Sequence, residues 1–331
     1  MSFNDIIKFL DETQAQNVFL LCHHNSDPDA VCSAYAFQSL LKKLRPEVRT
    51  EIGTGQGVSK LTKNLLKYIP ITVNLQPNLE KTQAIILLDT NTIQQLGSLA
   101  EGVSKTRTPI IVIDHHAAHP DTQANCKLCI TREDASSTCN IIYDFYKEQK
   151  IKPDPDAARA LFLGIAFDTR HFVLASSATL KAVAELADCG VNPQEALSKL
   201  AMPMDLSERI ARVKACKRAK IIRINQWVLA FSHVGAFEAS AARALIELGA
   251  HMTAVAGKKG DDLEISLRCT KEFSEKAGIH LGKDVANPLG EALGGMGGGH
   301  AMAAGVNAKG EIETALKRCF GLLQEKLTEP E

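Results

Sequence analysis

The stretch of residues 18–29, which reads VFLLCHHNSDPD, joins a short apolar run to a cluster of polar side chains. Residues 18–22 are typical of a buried strand of a parallel sheet because the run is continuously apolar. His23, Asp27 and Asp29 follow where this strand is predicted to end. Functional sites of open α/β sheets form beyond the carboxyl ends of the strands, so the segment predicts both a strand and a candidate site.

Two later strands end in the same way. The apolar runs 84–88 and 110–113 are followed by Asp89 and by Asp114, His115 and His116, respectively. A strand-end aspartate alone is often only a helix N-cap, and a histidine pair in a loop is usually solvated. Three such clusters at successive strand ends instead predict one shared site, because the ends of parallel strands meet at one edge of a sheet.

A fourth carboxylate, Asp168, follows the apolar helical segment 156–167. Carboxylates packed together repel one another unless cations neutralise them. Imidazole and carboxylate ligands without a cysteine cluster suit Mn²⁺ or a similar first-row ion better than an all-oxygen Mg²⁺ or Ca²⁺ site. The residues therefore predict a divalent metal site at this edge.

The alternation of apolar runs with helical patterns predicts an α/β fold with a mostly parallel sheet in residues 1–190. A basic connecting helix is expected over residues 207–220, within a linker of residues 191–220. Its charges fit either a solvated face or one wall of an anion-attracting cleft between domains. A second, smaller α/β domain is expected in residues 221–331, with strands at 227–232, 251–257 and 263–269.

Residues 294–299 contain five glycines in six positions and are followed by His300. The segment fits either a flexible hinge or a concave anion-binding nest, with an Ala-rich helix start beyond it that would bind a phosphate. Arg268, at a predicted strand, fits either an exposed charge or a substrate contact.

The 331 residues include 38 basic and 38 acidic side chains, which excludes a globally basic nucleic-acid coat. The first residues of this sequence do not have the pattern of a signal peptide, and no run of about 18 apolar residues predicts a membrane span. The nine scattered cysteines predict reduced thiols of a cytoplasmic protein. Oligomeric state cannot be read from the sequence, which leaves a homodimer open.

At these residues the sequence resembles the DHH phosphoesterase superfamily. His23-x-x-x-Asp27-x-Asp29 is similar to the first motif, Asp89 to the second, Asp114–His115–His116 to the third and Asp168 to the fourth. Gly297, Gly298, Gly299 and His300 resemble the signature of the DHH-associated C-terminal domain.

The resemblance implies two Mn²⁺ ions per subunit, with Co²⁺ or Mg²⁺ as alternatives. The implied ligands are His23, Asp27 and Asp89 for one ion and Asp29, Asp89, His115 and Asp168 for the other. His116 is expected to face the phosphate, where it stabilises charge or protonates the leaving oxygen. Asp114 is expected to support catalysis by orienting the histidines.

The resemblance further implies a short nucleotide or oligonucleotide substrate: nanoRNA, dinucleotides or 3′-phosphoadenosine 5′-phosphate. Substrate contacts are expected from Arg268, His300 and the three glycines before it. Cyclic-di-AMP phosphodiesterase and RecJ-like single-strand DNA exonuclease are enzymatic alternatives, and a nucleotide-binding regulatory protein is a non-enzymatic one. The glycine-rich C-terminal domain argues against the related inorganic pyrophosphatases.

Two positions depart from the pattern of the superfamily. Pro28 stands between the two aspartates of the first motif, where many relatives have glycine. Arg170 follows Thr169, where a small residue is expected, and it fits either an extra phosphate contact or an ion pair with a neighbouring acid.

Overall fold

A computed structural model describes residues 2–80, 82–201 and 204–328, so the last three residues of the predicted second domain lie outside the described part. The chain divides into two compact units, residues 1–202 and residues 203–331. Each unit has its own sheet and its own apolar core. No helix in the described ranges is both long and apolar enough to cross a membrane.

The first unit is built on six parallel strands in the order β3-β2-β1-β4-β5-β6. The strands are β1 Asn17–Cys22, β2 Arg49–Thr54, β3 Val73–Asn74, β4 Ala84–Leu88, β5 Ile110–Asp114 and β6 Leu128–Thr131. The helices are α1 Phe3–Thr13, α2 Pro28–Leu44, α3 Lys60–Leu65, a 3₁₀ segment Ile93–Leu99, α4 Ala100–Lys105, α5 Pro120–Asn125, α6 Thr138–Glu148, α7 Pro155–Asp168, α8 Ser177–Asp188 and α9 Pro193–Leu200.

Strand register places the predicted polar residues side by side. Cys22 at the end of β1 pairs with Leu88 at the end of β4, and Leu88 pairs with Ile113 of β5. The residues that follow these three strands therefore leave the sheet at the same level. Alternate side chains face opposite cores: Leu20 packs in one cluster and Leu21 in the other, so both faces of the sheet are covered.

The second unit contains a mixed sheet in the order β11-β12-β10-β9-β8-β7, antiparallel except for the β8–β9 pair. The strands are β7 Lys220–Ile224, β8 Trp227–Val234, β9 Met252–Lys259, β10 Asp262–Cys269, β11 Met296–Gly299 and β12 Ala303–Lys309. The helices are α10 Leu206–Arg218, α11 Glu238–Glu247, α12 Lys271–Lys276, a π-helical segment Leu281–Ala286, α13 Asn287–Ala292 and α14 Ile312–Thr328. The predicted α/β class is confirmed, and the predicted basic helix corresponds to α10, whose Ala211 and Ala215 pack with Ala230 of β8.

The glycine-rich segment differs from the prediction. Met296–Gly299 is the edge strand β11, and the Ala-rich stretch after His300 is strand β12, so the predicted helix start is wrong. Glycine is required for packing here, because a Cβ atom on Gly297 would overlap the carbonyl oxygen of Ala286. The segment is therefore not a flexible hinge, since the π-helical segment packs directly on its backbone.

Candidate metal centre

The carboxyl-terminal edge of the first sheet collects the side chains that follow its strands. They come from the end of β5, from the loops after β1, β4 and β5, from the first turn of α2 and from the last residue of α7. Three groups each have ligand atoms within 4.8 Å of one another: His23 with Asp27 and Asp89; Asp29 with His115 and Asp168; and Asp89 with Asp114, His115 and His116. The first contains the three residues of one predicted ligand set, and the second contains the other predicted set except for Asp89.

The first group is centred on the Nε2 atom of His23. The Nδ1 atom of this ring lies 2.9 Å from the carbonyl oxygen of His24, so an Nδ1–H that donates there leaves Nε2 with a free lone pair. Nε2 lies 3.8 Å from Asp27 Oδ2 and 3.9 Å from Asp89 Oδ2. These separations suit ligand atoms that each lie about 2.0–2.2 Å from one shared ion. Asp27 also caps α2, because its Oδ1 accepts the N–H of Ala30.

The second group surrounds a buried imidazole atom. Nε2 of His115 lies 3.1 Å from Asp168 Oδ2 but makes no hydrogen bond within the described chain. Asp29 is fully buried, and its carboxylate accepts the N–H groups of Thr138 at 2.7 Å and Cys139 at 3.0 Å. These are the first residues of α6, so a helix start holds this carboxylate in place.

Asp89 connects the two groups. Its Oδ2 faces His23, whereas its Oδ1 lies 3.5 Å from His115 Nε2 and accepts the hydroxyl hydrogen of Thr138 at 3.0 Å. The residue has a left-handed φ of 53° and its N–H donates to the carbonyl oxygen of Ile113. Backbone strain of this kind concentrates at functional sites, and here it turns the carboxylate between both groups.

The electrostatics of the cluster fit a cation site. Burial, followed by repulsion from the surrounding carboxylates, that of Asp27 foremost, raises the pKa of Asp89 to about 7. Burial, followed by repulsion from Asp168 and Asp89, raises the pKa of Asp29 well above its ordinary value. Divalent ions would keep these carboxylates ionised and would give the buried Nε2 of His115 the partner that it lacks.

The remaining two residues of the third motif form a pair beside the cluster. Oδ1 of the fully buried Asp114 accepts both the backbone N–H of His116, at 2.9 Å, and its Nδ1–H, at 2.8 Å. This hydrogen bond raises the pKa of His116 to about 9. The ring is half-exposed and its other nitrogen is directed away from Asp114, so the carboxylate fixes the orientation of the His116 ring.

The local backbone accommodates one departure from the motif pattern better than the other. Pro28 occupies the first turn of α2, where its fixed φ suits a helix and its missing N–H costs nothing. Arg170 has a φ of 50°, in the left-handed region that favours glycine, and begins a turn in which His171 and Phe172 are also left-handed. Within the described chain no carboxylate lies within ion-pair distance of Arg170, so the structure gives no support to the predicted alternative of an acid partner.

Sequence reasoning missed two residues that shape the centre. Thr138 binds Asp89 through its hydroxyl and Asp29 through its N–H, although it belongs to none of the motifs described above. Gly164 in α7 faces the same region, because a Cβ atom there would lie 2.7 Å from Asp29 Oδ1 and would overlap Cys139 Sγ.

Replacing Gly164 by alanine is therefore expected to lower the free energy of unfolding by about 1–3 kcal/mol and to weaken metal binding, because the new methyl group displaces Asp29 or Cys139. Calorimetry of unfolding and metal titration would measure both effects. Gly321, a glycine of α14 with open space around it, is the matched control. The alanine variant there should be as stable as the parent or more stable, and equal behaviour of the two variants would contradict the packing argument.

The predicted substrate-binding residues of the second unit lie together at one end of its sheet. Arg268 pairs with Ala303 in the β10–β12 ladder, and the N–H of His300 donates to the carbonyl oxygen of Ala303 at 2.8 Å. Arg268 is half-buried and has no carboxylate partner among the described residues. Burial, together with repulsion from Arg243, lowers the pKa of its guanidinium group.

Comparison with known proteins agrees with this geometry. The profile of the DHH family N-terminal domain matches residues 17–165. An uncharacterised protein of Methanocaldococcus jannaschii is 35% identical over 91% of this chain and 90% of its own length. A probable manganese-dependent inorganic pyrophosphatase of Bacillus pumilus is 26% identical over 80% of this chain and 86% of its own. The crystal structure of an exopolyphosphatase-related protein from Bacteroides fragilis superposes with a TM-score of 0.63 at 18% identity, covering 99% of this chain and 98% of that one.

The fold, the ligand cluster and these relatives together define a metal-dependent hydrolase of phosphoester bonds. The chain belongs to the DHH family.

Proposed function

We propose that this protein is a manganese-dependent phosphoesterase that hydrolyses short nucleotide substrates at a two-metal centre. The main support is the position of Asp89, whose two carboxylate oxygens face different imidazoles. One carboxylate placed in this way suits a bridging ligand. The donor set of imidazole and carboxylate favours Mn²⁺, with Co²⁺ or Mg²⁺ as alternatives, and the relative from Bacillus pumilus is named as manganese-dependent.

Each proposed ligand has a distinct position. His23, Asp27 and Asp89 would hold one ion; Asp29, Asp89, His115 and Asp168 would hold the other. Two bound ions would supply a water nucleophile with a lowered pKa and would neutralise charge on the phosphate. The chain's own groups fix the geometry: the start of α6 holds Asp29, and Thr138 holds Asp89.

His116 is the proposed group that contacts the phosphate, because Asp114 fixes its ring and leaves the second nitrogen free. Replacing His116 by glutamine is expected to lower kcat about 10²–10⁴-fold, the usual contribution of a positioned acid or charge donor, while metal content stays the same. Steady-state kinetics with an ordinary phosphodiester and metal analysis of the same preparation would measure this. Full turnover by the variant would exclude His116 from the chemistry.

Substrate binding is proposed for the second unit. Arg268 and His300 are adjacent at one end of the sheet, and Gly297, Gly298 and Gly299 lie beside them in the edge strand β11. An arginine without a carboxylate partner is available for a phosphate. Arg170 is proposed as a further phosphate contact. We accordingly assign catalysis to residues 1–190, a linker to residues 191–220 and substrate binding to residues 221–331. The nine cysteines are all free thiols, which agrees with a proposed cytoplasmic location.

Pyrophosphate is a second candidate substrate. It is favoured by the similarity to a probable inorganic pyrophosphatase over 80% of this chain, although the glycine-rich second unit argues for a nucleotide. One assay panel with Mn²⁺ would decide: a dinucleotide, a longer single strand, cyclic di-AMP, 3′-phosphoadenosine 5′-phosphate and pyrophosphate. The highest kcat/KM is expected for the dinucleotide or for 3′-phosphoadenosine 5′-phosphate. Fastest turnover of pyrophosphate, or of a long strand, would overturn the proposed substrate class.

A further inference from the structure

A cavity of about 540 Å³ in the first unit adjoins the metal centre. Its lining includes the proposed ligands His23 and Asp27, together with Lys60, Leu61, Gln95 and Phe167. The volume lies within the roughly 300–1,000 Å³ of sites that bind small molecules. All of its lining residues belong to the first compact unit.

The position of Lys60 relative to the metal ligands is fixed by hydrogen bonds between two loops. The N–H of Ser59 donates to the carbonyl oxygen of Ser26 at 2.9 Å, and the hydroxyl of Thr62 donates to the same oxygen at 2.9 Å. The hydroxyl of Thr54 donates to the carbonyl oxygen of His23 at 3.0 Å. The backbone that carries Lys60 is therefore bound to the loop that carries the first ligands, and this preorganises the cavity wall.

The charge of Lys60 is uncompensated. The side chain is exposed, and no carboxylate among the described residues lies within ion-pair distance of it. Asp27, which lines the same cavity, faces His23 and is a proposed metal ligand. Lys60 is thus available to bind an anion from the substrate.

Leu61 and Phe167 form an apolar part of the cavity lining. Both are half-buried and pack on the core of the first unit, so their exposed parts form a firm apolar wall. On the polar side, the carbonyl oxygen of Gln95 is 2.6 Å from the N–H of His24 and 2.8 Å from its Nδ1. A cavity with an apolar wall, a fixed polar side and one free cation suits a nucleoside that carries a phosphate.

We propose that this cavity binds the nucleoside next to the scissile phosphate and that Lys60 contacts the terminal phosphate on that nucleoside. This inference rests on the proposed function. It narrows the proposed substrate class to nucleotides in which two phosphates flank one nucleoside. Pyrophosphate has no nucleoside to contact Leu61 and Phe167.

The test compares three dinucleotides that differ by one phosphate: ApA, pApA with a 5′-phosphate and ApAp with a 3′-phosphate. In the parent protein with Mn²⁺, one terminal phosphate should lower KM relative to ApA. Lys60→Gln should reduce that advantage about tenfold or more, the usual loss of a charge-assisted hydrogen bond, and Lys60→Arg should restore it in part. Lys63, an exposed lysine of α3 that does not line the cavity, supplies the control variant Lys63→Gln.

The inference would be overturned if both terminal phosphates still lowered KM in Lys60→Gln as much as in the parent protein. It would also be overturned if Lys63→Gln changed this effect on KM as much as Lys60→Gln does. If the parent hydrolyses no dinucleotide, the proposed function fails, and calorimetric binding of pApA and ApAp to the parent and to Lys60→Gln decides the inference separately. Binding of either ligand that weakens about tenfold only in the Lys60 variant supports the subsite. Equal binding, or no binding to either protein, excludes it.

Discussion

Replacing Asp89 by asparagine is expected to lower phosphoesterase turnover at least about a thousandfold and to weaken the binding of both metal ions. Asparagine keeps the size of the side chain and tolerates the left-handed φ of 53° at this position, so the fold should remain. The change removes the negative charge that faces His23 on one side and His115 on the other. A metal ion contributes several kcal/mol of transition-state stabilisation, and each 1.36 kcal/mol is tenfold in rate.

The measurement is kcat/KM with a dinucleotide at saturating Mn²⁺, together with the number of ions bound per chain. Asp121, an exposed aspartate on α5 outside the cluster, provides the matched variant Asp121→Asn, which should retain parental activity. Loss of only one ion with much of the activity retained would show that Asp89 does not bridge. Retention of two ions and full activity would refute the two-metal proposal.

Much of this centre could be predicted from the sequence because its determinants are local. Each of β1, β4 and β5 is a short and mainly apolar run. The residues that directly follow these strands are the proposed metal ligands His23, Asp89 and His115. Parallel pairing then brings the strand ends to one level, as the Cys22–Leu88 and Leu88–Ile113 register shows. The strand ends, the resemblance to the superfamily and the α/β class therefore pointed to the same cluster.

The features that were missed depend on contacts between distant residues. Thr138 reaches Asp89, 49 positions away, only because α6 starts beside the sheet edge. The prediction for residues 296–299 was wrong because their conformation is determined by strand pairing with β12 and by packing against residues 281–286. Five glycines in six residues favour a loop by local propensity, and this tertiary packing overrides that preference.

Removing divalent ions from the protein is expected to make the stability of the first unit fall as the pH rises from about 4 to about 9. In the metal-free fold, burial and then neighbouring carboxylates raise the pKa of Asp89 to about 7, from an ordinary value of 3.8. Between these pH values the folded chain holds a proton that the unfolded chain releases, so stability decreases as the pH increases.

His23 acts in the same direction at higher pH. Burial opposes its protonation, but Asp27, the carbonyl oxygen of His24 and Asp89 together outweigh burial and raise the pKa of His23 from 6.5 to about 9. Its stabilising contribution is complete below pH 6.5 and is lost as the pH rises through about 9. Asp27 does not change the pH dependence of stability between about pH 4 and about pH 9. Burial opposes the ionisation of its carboxyl group, but the interaction with His23 lowers the pKa below 3.8. The stability that ionised Asp27 contributes is therefore lost only at a pH below this range.

Each unit of pKa shift corresponds to about 1.4 kcal/mol, so the sum should reach a few kcal/mol and lower the melting temperature by about 10 °C between pH 5 and pH 8.5. Scanning calorimetry of the full chain with a chelator would measure it, and a second series with Mn²⁺ should show a much smaller decrease because bound ions keep the carboxylates ionised. Asp89→Asn should reduce the slope in the metal-free series, since asparagine does not titrate.

The second unit provides an internal control, because its described residues contain no comparable group of carboxylate and imidazole side chains. If the two units unfold in separate transitions, only that of the first unit should move strongly with pH. A metal-free melting temperature that stays constant or rises across this range would mean that the buried carboxylates do not share one low-dielectric site. The carboxylates at the common edge of β1, β4 and β5 would then not repel one another strongly enough to require a pair of bound cations.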